Sequence, residues 1–239
     1  MKLDPEILRA YDIRGVVGQN LDAEVAFLVG RAFATVVAER VGHQPQFCSA
    51  YDGRLSSPAL EKALVEGMVA SGAEVLRLGL GPTPMLYFGV NAGKRDGGVM
   101  VTGSHNPPEF NGFKLVQGRV PFWDKDIQLL GTVIESSLFF SDKGHSQQGS
   151  VETNYVTRLL EEYDSDARYS VVWDAGNGAT GRVMRSLTDQ LPGRHVLLNE
   201  IIDGEFPSHH PDPTVPENLE ELIGVVKEQK ADIGVAFDG

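Results

Sequence analysis

Residues 97–114 read GGVMVTGSHNPPEFNGFK. Gly97 to Val101 form a short apolar run, the pattern of a buried strand. Thr102 to Lys114 then gather a serine, a histidine, two asparagines and a lysine around two prolines and two glycines. That composition is too polar and too broken for a core element, so it reads as a loop. A loop that follows a strand directly sits at a carboxyl edge, where open α/β sheets bind ligands. Gly103 permits an unusual backbone angle just before Ser104. Pro107 and Pro108 stiffen the loop beyond the serine and remove backbone donors. Read alone, the stretch allows a turn, a nucleophile or a phosphate carrier. A hydrolase elbow needs G-x-S-x-G, and the second glycine is missing after Ser104. His105 is also poorly placed to act as base on its own neighbour.

Outward from this loop, strands and helices alternate. Residues 22–40, DAEVAFLVGRAFATVVAER, carry apolar side chains at 25, 28, 29, 32, 33, 36 and 37, a helical stripe. Asp22 is its expected N-cap and Gly42 its stop. A strand comes next in QFCSAYDG at 46–53, then a helix in SSPALEKALVEGMVASG with Ser57 as cap, Pro58 at the first helical position and Gly72 as stop. EVLRLG reads as a strand, residues 83–92 as a helix, FKLV as a short strand, and residues 125–138 as a helix. The polar run SDKGHSQQGS at 141–150 reads as a linker. A second cycle has a helix over 152–163, strand YSVVW, turn DAGNGATG, a helix from about 180, strand HVLLN, a Pro-rich loop over 203–216, a helix near 217–230 and strand DIGVAF. Such alternation predicts tandem α/β domains, each a mostly parallel mixed sheet flanked by helices, over residues 1–145 and 150–239. SAYDG at 49–53, VVWDAG at 171–176 and VAFDG at 235–239 each end an apolar run with Asp and Gly. This weak repeat suits α/β units that place an acid at a strand's carboxyl end.

Composition narrows the function classes. The 239 residues are 41% hydrophobic and carry a net charge of −12. The acidity is uneven: residues 1–150 hold 14 Lys+Arg against 16 Asp+Glu, and residues 151–239 hold 7 against 17. A general nucleic-acid binder needs a basic face, so nucleic acid is not the expected partner. No apolar run approaches the length of a membrane span, and MKLDPEILRAYDIRG shows no signal-peptide pattern. The single cysteine, Cys48, lies in the apolar run FCSAY and reads as a buried small residue in a reducing cytoplasm.

GVMVTGSHNPPEFNGFK resembles the active-serine loop of the α-D-phosphohexomutases, in the form typical of the phosphomannomutase/phosphoglucomutase branch. The phosphoglucosamine mutases typically have Ala before the serine. RAYDIRG at 9–15, GPTP at 81–84, DAGNGATG at 174–181, GEFPSHHPDPTVPENL at 204–219 and ADIGVAFDG at 231–239 resemble the same branch, in the family's order and across nearly the whole chain.

The resemblance implies that Ser104 carries a phosphate, which adds about two negative charges and three acceptor oxygens. It implies Mg²⁺ as the counter-charge, held by phosphoserine 104 and by a D-G-D-G-D-R loop whose first two residues Asp238 and Gly239 resemble. The sequence stops there, so the expectation is an enzyme shortened within its metal loop. The third domain, which contacts the sugar, and the fourth, which holds the substrate phosphate, are missing. A site with half its walls absent orients substrate poorly, so little activity is expected of the chain alone. The implied substrates are mannose and glucose phosphates, with a hexose 1,6-bisphosphate as intermediate and activator. Lys114 matches a lysine near the transferring phosphate, and Arg14 an arginine that faces the phosphoserine. His105 polarises the reacting groups or holds the loop. Asp52 and Arg54 match a strand-end pair near the cleft. His209 and His210 lack zinc-site spacing and read as loop residues, with Ser208 where the family usually has Asn. Gly176 and Gly178 could cradle phosphate, but in the family that turn is mainly architectural. A non-catalytic phosphosugar-binding or regulatory fragment is the competing reading.

Overall fold

A computed structural model of the chain describes residues 3–239. It divides into two units: one runs up to Gly103 and resumes over Glu109–Ser150, and the other comprises Ser104–Pro108 with Val151–Gly239.

The first unit contains, in chain order, β1 (Ile13–Val16), α1 (Ala23–Val41), β2 (Gln46–Tyr51), α2 (Ser57–Ala70), β3 (Glu74–Leu80), α3 (Thr83–Ala92), β4 (Gly97–Val101), β5 (Phe110–Gln117), β6 (Val120–Pro121), α4 (Lys125–Ser136) and β7 (His145–Gln148). The sheet order is β1-β5-β4-β2-β3-β7, with β6 paired to β5. The pairs β2/β3, β2/β4 and β3/β7 are parallel, and those involving β5 are antiparallel.

α1 begins where the Asp22 carboxylate accepts from the Val25 amide and ends at left-handed Gly42, as its sequence predicts. Its buried stripe packs on one sheet face, where Phe33 meets Phe47 and Phe122 at centroid distances of 4.8 and 5.3 Å. Two glycines set the α1–α2 approach. A Cβ on Gly30 would lie 2.1 Å from the Leu64 carbonyl oxygen, and one on Gly67 would lie 2.0 Å from that of Phe27.

Three local expectations change. Ser57 does not cap α2. It is the helix's first residue, and its hydroxyl donates to buried Asp52 instead. FKLV is the middle of an eight-residue strand, β5, whose antiparallel partner β1 has too short an apolar run to announce itself. The supposed linker contains β7, an edge strand parallel to β3. All four of its residues are exposed, so backbone pairing alone defines it and no hydrophobic alternation betrays it.

The second unit contains α5 (Glu152–Leu160), β8 (Ser170–Asp174), α6 (Gly181–Thr188), β9 (Arg194–Leu198), α7 (Glu220–Gln229) and β10 (Ile233–Ala236). Its sheet runs β10-β8-β9, all parallel. Asp174 therefore ends the central strand, and Asp238 lies just beyond its neighbour. No helix among the described residues is long and apolar enough to cross a membrane.

Candidate active site

The serine loop joins β4 to β5. Val101 pairs with Phe113, and the Thr102 amide donates to the Gly112 carbonyl, so the hairpin closes just below the loop. The backbone freedom expected of Gly103 falls on Ser104, whose φ is +51°. For a side chain other than glycine this left-handed conformation costs roughly 1–3 kcal/mol and persists only where surrounding contacts fix it. Gly103 has a different purpose. A Cβ there would lie 2.3 Å from the Arg54 guanidinium carbon.

Within the second unit, Ser104 and His105 meet Asp238. Ser104 Oγ donates to Asp238 Oδ1 at 2.8 Å, and His105 Nδ1 lies 3.1 Å from Asp238 Oδ2. An ionised carboxylate only accepts, so His105 donates from Nδ1. Ser104 is 8% exposed, whereas His105 and Asp238 are about half exposed, at 47% and 48%.

Within the first unit, Arg14 is nearly buried. Its guanidinium binds Asp12 Oδ2 and donates to the Gly103 carbonyl, immediately before the serine. Lys114 lies on β5 opposite Met100, half-buried. Sequence reasoning named these residues but missed Asn111. Its buried amide donates to the Ser56 and Ser57 hydroxyls, and its Oδ1 accepts from the Gly112 amide. An asparagine inside a strand was the available signal.

The loop of the second unit has a structural anchor of its own. Buried Asp174 accepts from the Gly176 amide and from Asn199 Nδ2 on one oxygen, and from His209 Nε2 at 2.8 Å on the other. His209 Nδ1 meets the His210 carbonyl at 2.9 Å. Both partners are acceptors, which favours the protonated ring. Burial opposes that charge, but the His210 carbonyl and the Asp174 carboxylate outweigh it and hold the pKa above 6.5. The adjoining Pro211 accepts from the Gly239 amide. Cβ atoms on Gly176 and Gly178 would meet Pro211 and Gly239, so this glycine turn packs against backbone and proline.

A hard cation fits the donor chemistry at Ser104 and Asp238, which is carboxylate and hydroxyl oxygen with capacity for phosphate oxygens. Among the described residues no group of three His, Cys, Asp or Glu side chains could hold a metal by itself. A shell there needs oxygen donors beyond these two side chains. Cys48 is fully buried, which pushes its thiol pKa up to about 11 and leaves it unreactive.

Comparison with known proteins adds the family. The model for phosphoglucomutase/phosphomannomutase alpha/beta/alpha domain I matches residues 5–137, and that for domain II matches residues 153–239. The phosphomannomutase/phosphoglucomutase of Pseudomonas aeruginosa is 42% identical, over 99% of this chain and 51% of its own length. A phosphoglucomutase of Neisseria meningitidis serogroup B is 39% identical, over 98% and 51%. A crystal structure of a phosphoglucomutase/phosphomannomutase family protein from Burkholderia thailandensis matches with a TM-score of 0.94 at 41% identity, covering 99% of this chain and 53% of that one. The chain spans about half the length of the curated relatives it matches.

Proposed function

Because the chain belongs to the phosphoglucomutase/phosphomannomutase family, we propose that it carries the phosphoryl-transfer half of a hexose phosphate mutase, with Ser104 as the phosphate carrier. Residues 1–145 are read as the first domain of that enzyme and residues 150–239 as part of its second.

Phosphoserine 104 donates to the free hydroxyl of a glucose or mannose phosphate. The Oγ–P bond breaks as the sugar O–P bond forms. The bisphosphorylated sugar then turns and returns its other phosphate to Ser104. Catalysis of this kind is mostly positioning and charge stabilisation. Arg14 fixes the carbonyl that precedes the serine. Lys114 offers a cation to the transferring phosphate, and the sugar hydroxyl proton ends on the Ser104 oxygen as that oxygen leaves phosphorus. His105 holds Asp238 through its Nδ1 hydrogen. Phosphoserine oxygens and Asp238 would hold Mg²⁺, which supplies charge neutralisation when bound.

The observation that carries this reading is the 2.8 Å contact from Ser104 Oγ to Asp238 Oδ1. It joins a serine in a strained loop to a strand-end acid 134 residues away. The test is Ser104→Ala in the full-length natural polypeptide, assayed for conversion of hexose 1-phosphate to 6-phosphate. Turnover should fall below a hundredth of the unmodified rate, and wild-type turnover in the variant overturns the proposal. A second reading is binding of a phosphosugar without turnover, in which hexose phosphate binds equally well with or without the Ser104 hydroxyl.

A further inference from the structure

Asp52 and Arg54 are buried between the stems of the serine loop, 3% and 1% exposed. Each reaches a different stem. Asp52 Oδ2 accepts from the Gly103 amide at 3.0 Å, on the side entering the loop. Arg54 Nη1 donates to the Phe110 carbonyl at 3.0 Å, on the side leaving it. The two side chains face one another, with Arg54 Nε 3.4 Å from Asp52 Oδ2. The second Asp52 oxygen accepts from the Arg54 amide at 3.1 Å and from Ser57 Oγ at 2.5 Å. Ser57 in turn accepts from Asn111, next to Phe110 in β5.

A structural role alone does not explain why a buried ion pair occupies this place. Burying two charges is costly, and a well-packed apolar pair is often as stable. What an apolar pair lacks is direction. A carboxylate fixes an amide and a guanidinium fixes a carbonyl, each at one distance and angle. Gly103 completes the arrangement, since a Cβ there would enter the space of the Arg54 guanidinium. Burial lowers the Arg54 pKa while Asp52 raises it, and an arginine stays charged under such shifts.

We infer that Asp52 and Arg54 form a two-armed clamp that holds both stems of the Ser104 loop and so acts as a pair of positioning residues for phosphoryl transfer. The transfer part rests on the reading of Ser104 as phosphate carrier. The clamp itself rests only on the stem contacts.

The experiment compares the full-length natural polypeptide with its double variant Asp52→Asn/Arg54→Met, which leaves no buried charge unpaired, and with Arg54→Lys, which keeps the charge but not the fork. Amide exchange is followed by mass spectrometry over peptides 102–110 and over α1 as a reference. Phosphate incorporation at Ser104 is followed by intact mass after addition of glucose 1,6-bisphosphate, read as a ratio of rates. The clamp predicts that loop amides lose protection about 100-fold while α1 is unchanged. It also predicts that incorporation slows by about 100-fold, the effect of a misplacement near 1 Å, with partial recovery in Arg54→Lys. Wild-type loop protection in a folded double variant overturns the clamp. If the unmodified chain takes up no phosphate, the phosphoserine reading fails by itself, and loop protection still decides the clamp. If the double variant does not fold, Arg54→Lys decides by the same two readouts: unchanged loop protection overturns the clamp, and a selective loss supports it.

Discussion

Ser104 Oγ donates to Asp238 Oδ1 across 2.8 Å, and this bond exists only while the serine is unmodified. A phosphate on the same oxygen removes the donor and brings about two negative charges to the carboxylate. A divalent cation should therefore stabilise the phosphorylated chain and have little effect on the unmodified one. In thermal melts, Mg²⁺ should raise the midpoint of the phosphorylated form by several degrees. Asp238→Asn should reduce that gain by at least half.

The left-handed backbone at Ser104 can be separated from its hydrogen bond. Ser104→Ala and Ser104→Gly both delete the hydroxyl, but only glycine relieves the positive φ of +51°. Ser104→Gly should be more stable than Ser104→Ala by about 1 kcal/mol in urea unfolding. Equal stabilities would mean that the loop relaxes on its own.

His209 gives the second unit a pH dependence of known sign. Its folded pKa is raised above the ordinary 6.5. Its contribution is therefore full below 6.5 and fades as pH rises through the folded value. The charged groups that face the ring are Asp174 and Glu221. His209→Asn should flatten the fall in stability as pH rises from 6.5 and lower the stability at pH 6. Chemical denaturation at pH 6 and pH 9 reads both effects.

Two glycines in helices should respond in opposite ways to alanine. A Cβ on Gly224 in α7 meets nothing within 4 Å, so Gly224→Ala should stabilise the chain by about 0.5–1 kcal/mol. A Cβ on Gly67 would lie 2.0 Å from the Phe27 carbonyl oxygen. The resulting separation of α1 from α2 should cost about 1–3 kcal/mol. Thermal melts of the two variants should move in opposite directions.

The helices were legible because their signals are local. Asp22, the apolar stripe of α1 and Gly42 lie within one segment. β7 was illegible because an exposed edge strand is defined by its neighbour, β3. Ser57 misled for a related reason: Asp52 takes the hydroxyl that would otherwise cap α2. At the site, Ser104, His105 and Asp238 were named from motifs, and their meeting required the fold. The directional work of Asp52, Arg54 and Asn111 could not be read from the chain, because each bonds backbone or side chains roughly 50 residues away. The role of Gly103 was assigned to its own flexibility, whereas the space it leaves belongs to Arg54.

Peptide mapping of the chain purified from its natural source without phosphatase exposure tests the phosphate carrier most directly. A carrier at Ser104 predicts one phosphate on the peptide that contains Ser104, and its absence in Ser104→Ala. An unmodified Ser104 peptide that also stays unmodified after incubation with glucose 1,6-bisphosphate would contradict it.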